Sequence, residues 1–219
     1  MGLRDMIIVK MWESIKPGET VLFERTGEGD MGMGVYHTLL WAQSEEFKII
    51  VIDILDSYST LVSKAKLMGL DVSLLNNADV IKIGGVKKQG HVIAHIEGIS
   101  EPTIMLRKFR EAYEPVIGNS DRKVLAVVIG LEKLFVVSEF SHRGIQVIID
   151  QLAGYIGNTS RLGIYLLKKD ILPVDKRFVI KLLEDIATTV VRTQKKGRLT
   201  EFHIVKSLNS ELEGVLIRV

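Results

Sequence analysis

The stretch VLFERTGEGDMGMGVYHTLLWA, Val21 to Ala42, runs from an apolar segment through a loop holding four glycines into residues with helical spacing. A β-rich run, a glycine turn and a helix form the first half of a strand–helix–strand unit, so these residues set the expectation of an α/β fold. Upstream, Leu3 to Ile15 carries apolar residues at Leu3, Met6, Ile7, Met11 and Ile15 and stops before Pro17 and Gly18, which predicts an initial helix and a turn. Thr20 to Arg25 is then the first strand. Downstream, Lys48 to Leu55 reads KIIVIDIL, rich in β-branched residues and nearly free of polar ones. Strands of that kind are covered on both faces, which predicts a largely parallel central sheet flanked by helices.

The same reading carries along the chain. Helices are expected over Val35–Glu46, Ser57–Met68, Glu101–Ile117, Gly144–Ile156 and around Phe178–Leu183, with strands in DVIKIGG, HVIAHIEG, KVLAVVIG and RLGIYLLKK. Three β-rich segments close the chain, Ile186–Thr193, Leu199–Ser207 and Gly214–Val219, separated by short polar connections that predict antiparallel neighbours. No repeat or long linker divides residues 1–219, so a single domain is expected.

Composition limits the function classes. The chain has 219 residues, of which 47% are hydrophobic, enough for a substantial core. Its formal charge of +2 is dispersed, which argues against nucleic acid or an anionic membrane as the main partner. The short basic run Lys195, Lys196 and Arg198 is read as solvated turn charge. With no cysteine, disulfides, thiolate catalysis and cysteine-held zinc are excluded, and a cytoplasmic location is expected. Charges at Arg4, Asp5, Lys10 and Glu13, and the lack of any 18-residue apolar run, predict neither a signal peptide nor a membrane span. Abundant Lys and Glu fit a heat-adapted source.

The glycine loop admits three readings. As a phosphate loop of the form G-x-x-x-x-G-K-[ST], its glycines are Gly27 and Gly32, which puts Met33 where lysine is needed and Gly34 where the magnesium-binding hydroxyl is needed. Methionine forfeits a charged hydrogen bond of about 1.5 to 3 kcal/mol. Glu28 and Asp30 add the wrong sign of charge. As a dinucleotide fingerprint, Gly27, Gly29 and Gly32 fit G-x-G-x-x-G, with Asp53 about twenty residues on, although the two acids disfavour a pyrophosphate and Glu24 stands one residue off the acidic position of methyltransferases. The third reading is a tight turn with no ligand.

The order of segments resembles the RecA/KaiC class of P-loop ATPase domains. ESIKPGETVLFE is similar to the lead-in to that family's phosphate loop, IDILDSYSTLVSKAKLMGLDV to its second strand and following helix, KVLAVVIGLEKL to its magnesium-side strand, and DIATTVVRTQKKGRLTEFHIVKS to its closing hairpin with a lysine near the end, Lys206. The resemblance implies a RecA-like P-loop NTPase fold, with Asp56 at the catalytic glutamate's position and Leu55 as its altered neighbour. It also places Gly130 where the magnesium-side aspartate belongs. IDILD, VIKIGG, SEP and EFHIVKS further resemble an uncharacterised family of RecA-like proteins from hyperthermophilic archaea, with no established activity. Lysine, hydroxyl and carboxylate are replaced together by Met33, Gly34 and Gly130, which removes the means of stabilising phosphoryl transfer.

The expectation is therefore a non-catalytic domain with no cofactor, no metal and no catalytic residue, working with a protein partner or as a homo-oligomer. Gly27, Gly29, Gly32, Met33 and Gly34 form a vestigial loop. The alternative is a small-molecule or nucleotide site at that loop with Asp53 and Asp56. For Asp56 a helix-capping role is set ahead of a ligand role. Glu132 is read as a surface ion pair. His91, His95 and Glu97 are read as a solvated strand edge rather than a metal site. Ser138, Ser141 and His142 lack a nucleophile-elbow pattern. Trp12, Trp41 and Tyr36 are read as packing residues.

Overall fold

The computed structural model describes residues 11–27, 32–197 and 199–218. Most of the predicted first helix, Gly29 with its flanking acids Glu28 and Asp30, and Arg198 lie outside them; residues 11–13 are helical. The elements run β1 (Thr20–Thr26), α1 (Gly32–Ser44), β2 (Lys48–Ile54), α2 (Ser57–Leu67), α3 (Ser73–Asn77), β3 (Asp79–Ile83), β4 (His91–Ile96), α4 (Pro102–Gly118), β5 (Val124–Ile129), α5 (Leu131–Val137), α6 (His142–Ala153) and β6 (Arg161–Lys168). Two 3-10 turns, Lys169–Ile171 and Val174–Lys176, lead to α7 (Phe178–Ile186), β7 (Thr189–Lys196), β8 (Leu199–Lys206) and β9 (Leu216–Arg218).

One nine-stranded sheet orders these as β4-β3-β2-β5-β6-β1-β7-β8-β9. Every pairing from β4 to β7 is parallel; β8 is antiparallel to β7, and β9 to β8. The α/β class with a largely parallel sheet and antiparallel C-terminal strands is as the sequence predicts.

Alternation along β1 shows why both faces are covered. Val21 and Phe23 join Val51, Val127 and Ile164 under α1 and α2, while Leu22 joins Ile52, Val128 and Tyr165 under α4, α5, α6 and α7. β5, the expected central strand, is buried at all six positions. Trp12 stacks on Trp41 with ring centroids 5.5 Å apart and meets Phe23 at 5.6 Å, so both tryptophans are packing residues, as expected.

Several boundaries differ from the sequence reading. α1 begins at Gly32 rather than Val35, so two loop glycines lie inside its first turn. The strand expected from Ile186 starts at Thr189, because Phe178, Leu182 and Ile186 continue one apolar stripe and keep α7 helical to Ile186. Short α3 and α5 fall in stretches read as connections.

Candidate functional site

The carboxyl ends of β1, β2, β5 and β6 meet at a cavity of about 330 Å³, the place where open α/β sheets receive ligands. Its walls include Arg25, Gly32, Ser57, Lys64, Glu132 and Lys133, with Gly130 and Lys168 beside them. Gly130 sits at φ +87°, and a Cβ there would overlap Ser57 Oγ and stand 2.5 Å from the Ile54 carbonyl oxygen. Ser57 Oγ is held in place by donating to that same carbonyl at 2.6 Å. The position that the RecA resemblance gives to a magnesium-side carboxylate is thus filled by the start of α2. Any L side chain at residue 130 is strained as well as crowded.

The described part of the glycine loop is equally committed. The Gly27 N–H, a donor that a phosphate cradle would aim at its ligand, donates instead to the Asp170 carboxylate. Met33 is exposed on α1. Among the described residues, Met33 and Gly130 supply neither the lysine nor the carboxylate that a magnesium-bound triphosphate would need.

Asp53 and Asp56 are engaged elsewhere. Asp53, 1% exposed, accepts from the Tyr58 N–H at 2.8 Å and from Lys82 Nζ at 3.3 Å. Asp56 accepts from Lys82 Nζ, from the Val86 N–H at 3.0 Å and from the Lys87 N–H at 2.9 Å. Lys82 is itself 1% exposed. Burial works against ionised Asp56, but the Lys82 bond and the two backbone N–H groups outweigh it and hold its carboxyl down at about 2. The expected capping role therefore moves from Asp56 to Asp53. Asp56 adopts a left-handed backbone and makes no side-chain cap, while Asp53 reaches forward to the first turn of α2. Together the three charges tie the β2–α2 junction to the loop after β3, a clamp that one-dimensional spacing did not suggest.

Glu132 also departs from expectation. It is 8% exposed rather than a surface ion pair, and its Oε2 has no hydrogen-bond partner. Burial raises its carboxyl above the usual range, against the pull of the Glu132 and Lys168 backbone N–H groups and of the Lys133 and Arg25 charges. Glu24 is buried on β1 and receives Lys169 Nζ at 2.8 Å and Arg192 Nε at 3.2 Å. Lys206 donates to the carbonyls of Glu184 and Asp185, both at 2.9 Å, and closes the end of α7.

His91 and His95 project from the exposed side of edge strand β4, and His91 Nδ1 pairs with Asp79 at 2.9 Å. Among the described residues no group of three or more His, Asp or Glu could hold a metal ion. Ser141 caps α6 by accepting from the Gly144 N–H at 3.2 Å. Among the described residues no helix is long and apolar enough to cross a membrane.

A family model described as "Pyrococcus protein of unknown function, DUF257" matches residues 10–218. The chain belongs to this family. A solved structure described as "Structural study of Project ID PH0250 from Pyrococcus horikoshii OT3" superimposes with a TM-score of 0.81 at 27% identity, over 96% of this chain and 97% of that one. A search of curated proteins found no match. Membership in this Pyrococcus family agrees with the expected kinship to uncharacterised proteins of hyperthermophilic archaea. The solved Pyrococcus horikoshii structure shares the fold, and neither comparison assigns an activity.

Proposed function

We propose that the chain is a RecA-like domain that does not hydrolyse nucleoside triphosphates and acts by non-covalent association, principally with further copies of itself. The observation that carries the first half is the packing of Ser57 against Gly130, which excludes a carboxylate from the end of β5. Phosphoryl transfer depends on positioned cations and metal ligands, and among the described residues Gly130 supplies no acid at the end of β5 and the Gly27 N–H is taken by Asp170.

The second half is supported by apolar side chains left in solvent. Val137 at the end of α5 and Val174 in the second 3-10 turn are 61% and 79% exposed. Lys176 donates to the Phe135 and Ser138 carbonyls at 2.6 and 3.0 Å, which ties that turn to the end of α5. Val136 is exposed beside them. Exposed apolar side chains on two elements tied in this way suit a protein contact.

Light scattering coupled to size exclusion tests the association. The full chain is expected to exceed its single-chain mass at micromolar concentration, and Val137→Glu with Val174→Glu is expected to weaken assembly about tenfold or more. A mass that stays at one chain through the whole concentration range contradicts self-association.

A further inference from the structure

Beyond the strand-end cavity lies a second one, on the α1 face of the sheet, with a volume of about 140 Å³. Its walls include Trp12, Phe23, Val127, Ile164 and Phe202, and its polar lining includes Arg25, His37 and Lys195. No Asp or Glu is among its described lining residues. The space lies beside the first turn of α1, where Gly34 carries no side chain. Gly34 is not required by its backbone: its φ lies outside the left-handed range, and a Cβ there would meet nothing within 4 Å. Deeper along the same helix, Val35, Leu39 and Ala42 close onto the sheet with little or no exposure. A helix that packs tightly in its middle and stands open at its glycine end leaves a preformed apolar pocket.

We propose that this pocket binds a small carboxylic acid whose apolar body is about the size of a benzene ring. Apolar cavities of about 150 Å³ accept benzene, and a pocket with apolar walls and few polar groups at its border orients a ligand by its charged end. Arg25, which borders both cavities and whose charge also acts on Glu132, faces that end. Its Nε is buried and has no hydrogen-bond partner among the described residues, although a guanidinium presents a planar set of donors suited to a carboxylate. Lys195, exposed on β7, adds a second positive charge at the border. Trp12 lines the wall, so occupancy is readable from the protein's own fluorescence.

The test titrates the full chain with benzoate and, separately, with benzene, following tryptophan emission and heat. Benzoate is expected to bind with a Kd on the order of 1 mM or tighter. Arg25→Met is expected to weaken benzoate at least about fivefold while leaving benzene unchanged. Gly34→Leu places a side chain in the open space and removes a helix glycine, so it is expected to keep or raise the unfolding temperature while abolishing both titrations. Failure of both probes to bind the wild-type chain overturns the proposal, as does undiminished binding in Gly34→Leu. Benzene binding without benzoate binding overturns the acid as the ligand class. None of these outcomes depends on whether the chain self-associates or turns over nucleotide.

Discussion

Replacing Lys82 with methionine is expected to lower the free energy of unfolding by about 3 to 5 kcal/mol, the usual cost of breaking a buried ion pair from one side. Methionine keeps the length of the stem, so packing in β3 changes little and the loss is electrostatic. Two carboxylates, Asp53 at 1% exposure and Asp56 beside it, are left facing each other without a cation. Chemical denaturation at neutral pH measures the effect. Adding Asp53→Asn to Lys82→Met is expected to recover part of it, because the amide oxygen still accepts from the Tyr58 N–H while one buried charge disappears. Equal stability of Lys82→Met and the wild type contradicts the clamp.

The same clamp sets an acid limit. Against the opposing effect of burial, the Lys82 ammonium and two backbone N–H groups hold the folded-state carboxyl of Asp56 down at about 2, below the 3.8 of an unfolded aspartate. A depressed carboxylate contributes stability that is fully present above the unfolded value and is lost as pH falls through the folded one. The wild-type chain should therefore lose stability between about pH 4 and about pH 2, and Lys82→Met should lose less over that interval because the Lys82 bond to Asp56 is gone.

Restoring an acid at the end of β5 is the second large effect. Gly130→Asp is expected to cost about 3 kcal/mol or more, combining a left-handed backbone at φ +87° with overlap of Ser57 Oγ and the Ile54 carbonyl. Removing the obstruction with Ser57→Gly should return some of the loss but not the backbone strain. A Gly130→Asp chain as stable as the wild type would mean that the strand end is more open than this packing allows.

Much of the fold is legible in the residues because its strands lie in the interior. KIIVIDIL and KVLAVVIG can satisfy neither a half-exposed strand nor an amphipathic helix, so they declare a doubly covered sheet. What stays hidden depends on strand register. Lys82 reads as one polar residue in VIKIGG, and only the parallel pairing that sets Asp53 beside it makes the two carboxylates its partners. Asp56 looks like a helix cap because it directly precedes Ser57, yet its left-handed backbone turns it toward Val86 and Lys87 and leaves the first turn to Asp53. Glu132 reads as a surface ion pair because it lies two residues beyond the position of the missing acid at Gly130, but the start of α5 packs into the strand ends and carries it inside. The substitutions at Met33, Gly34 and Gly130 were readable as missing groups. That Gly130 is also sterically closed was not, because Ser57 reaches it from a different strand–helix junction.

The direct measurement is phosphate release from ATP and Mg²⁺ by the purified full chain, compared with buffer and with Glu132→Gln. The account predicts release at the buffer rate for both proteins, because no metal-side carboxylate fits beside Ser57 and the Gly27 donor is already held by Asp170. Release that rises in proportion to protein concentration and disappears in Glu132→Gln would contradict it, and would make the buried glutamate of the strand-end cavity a catalytic base.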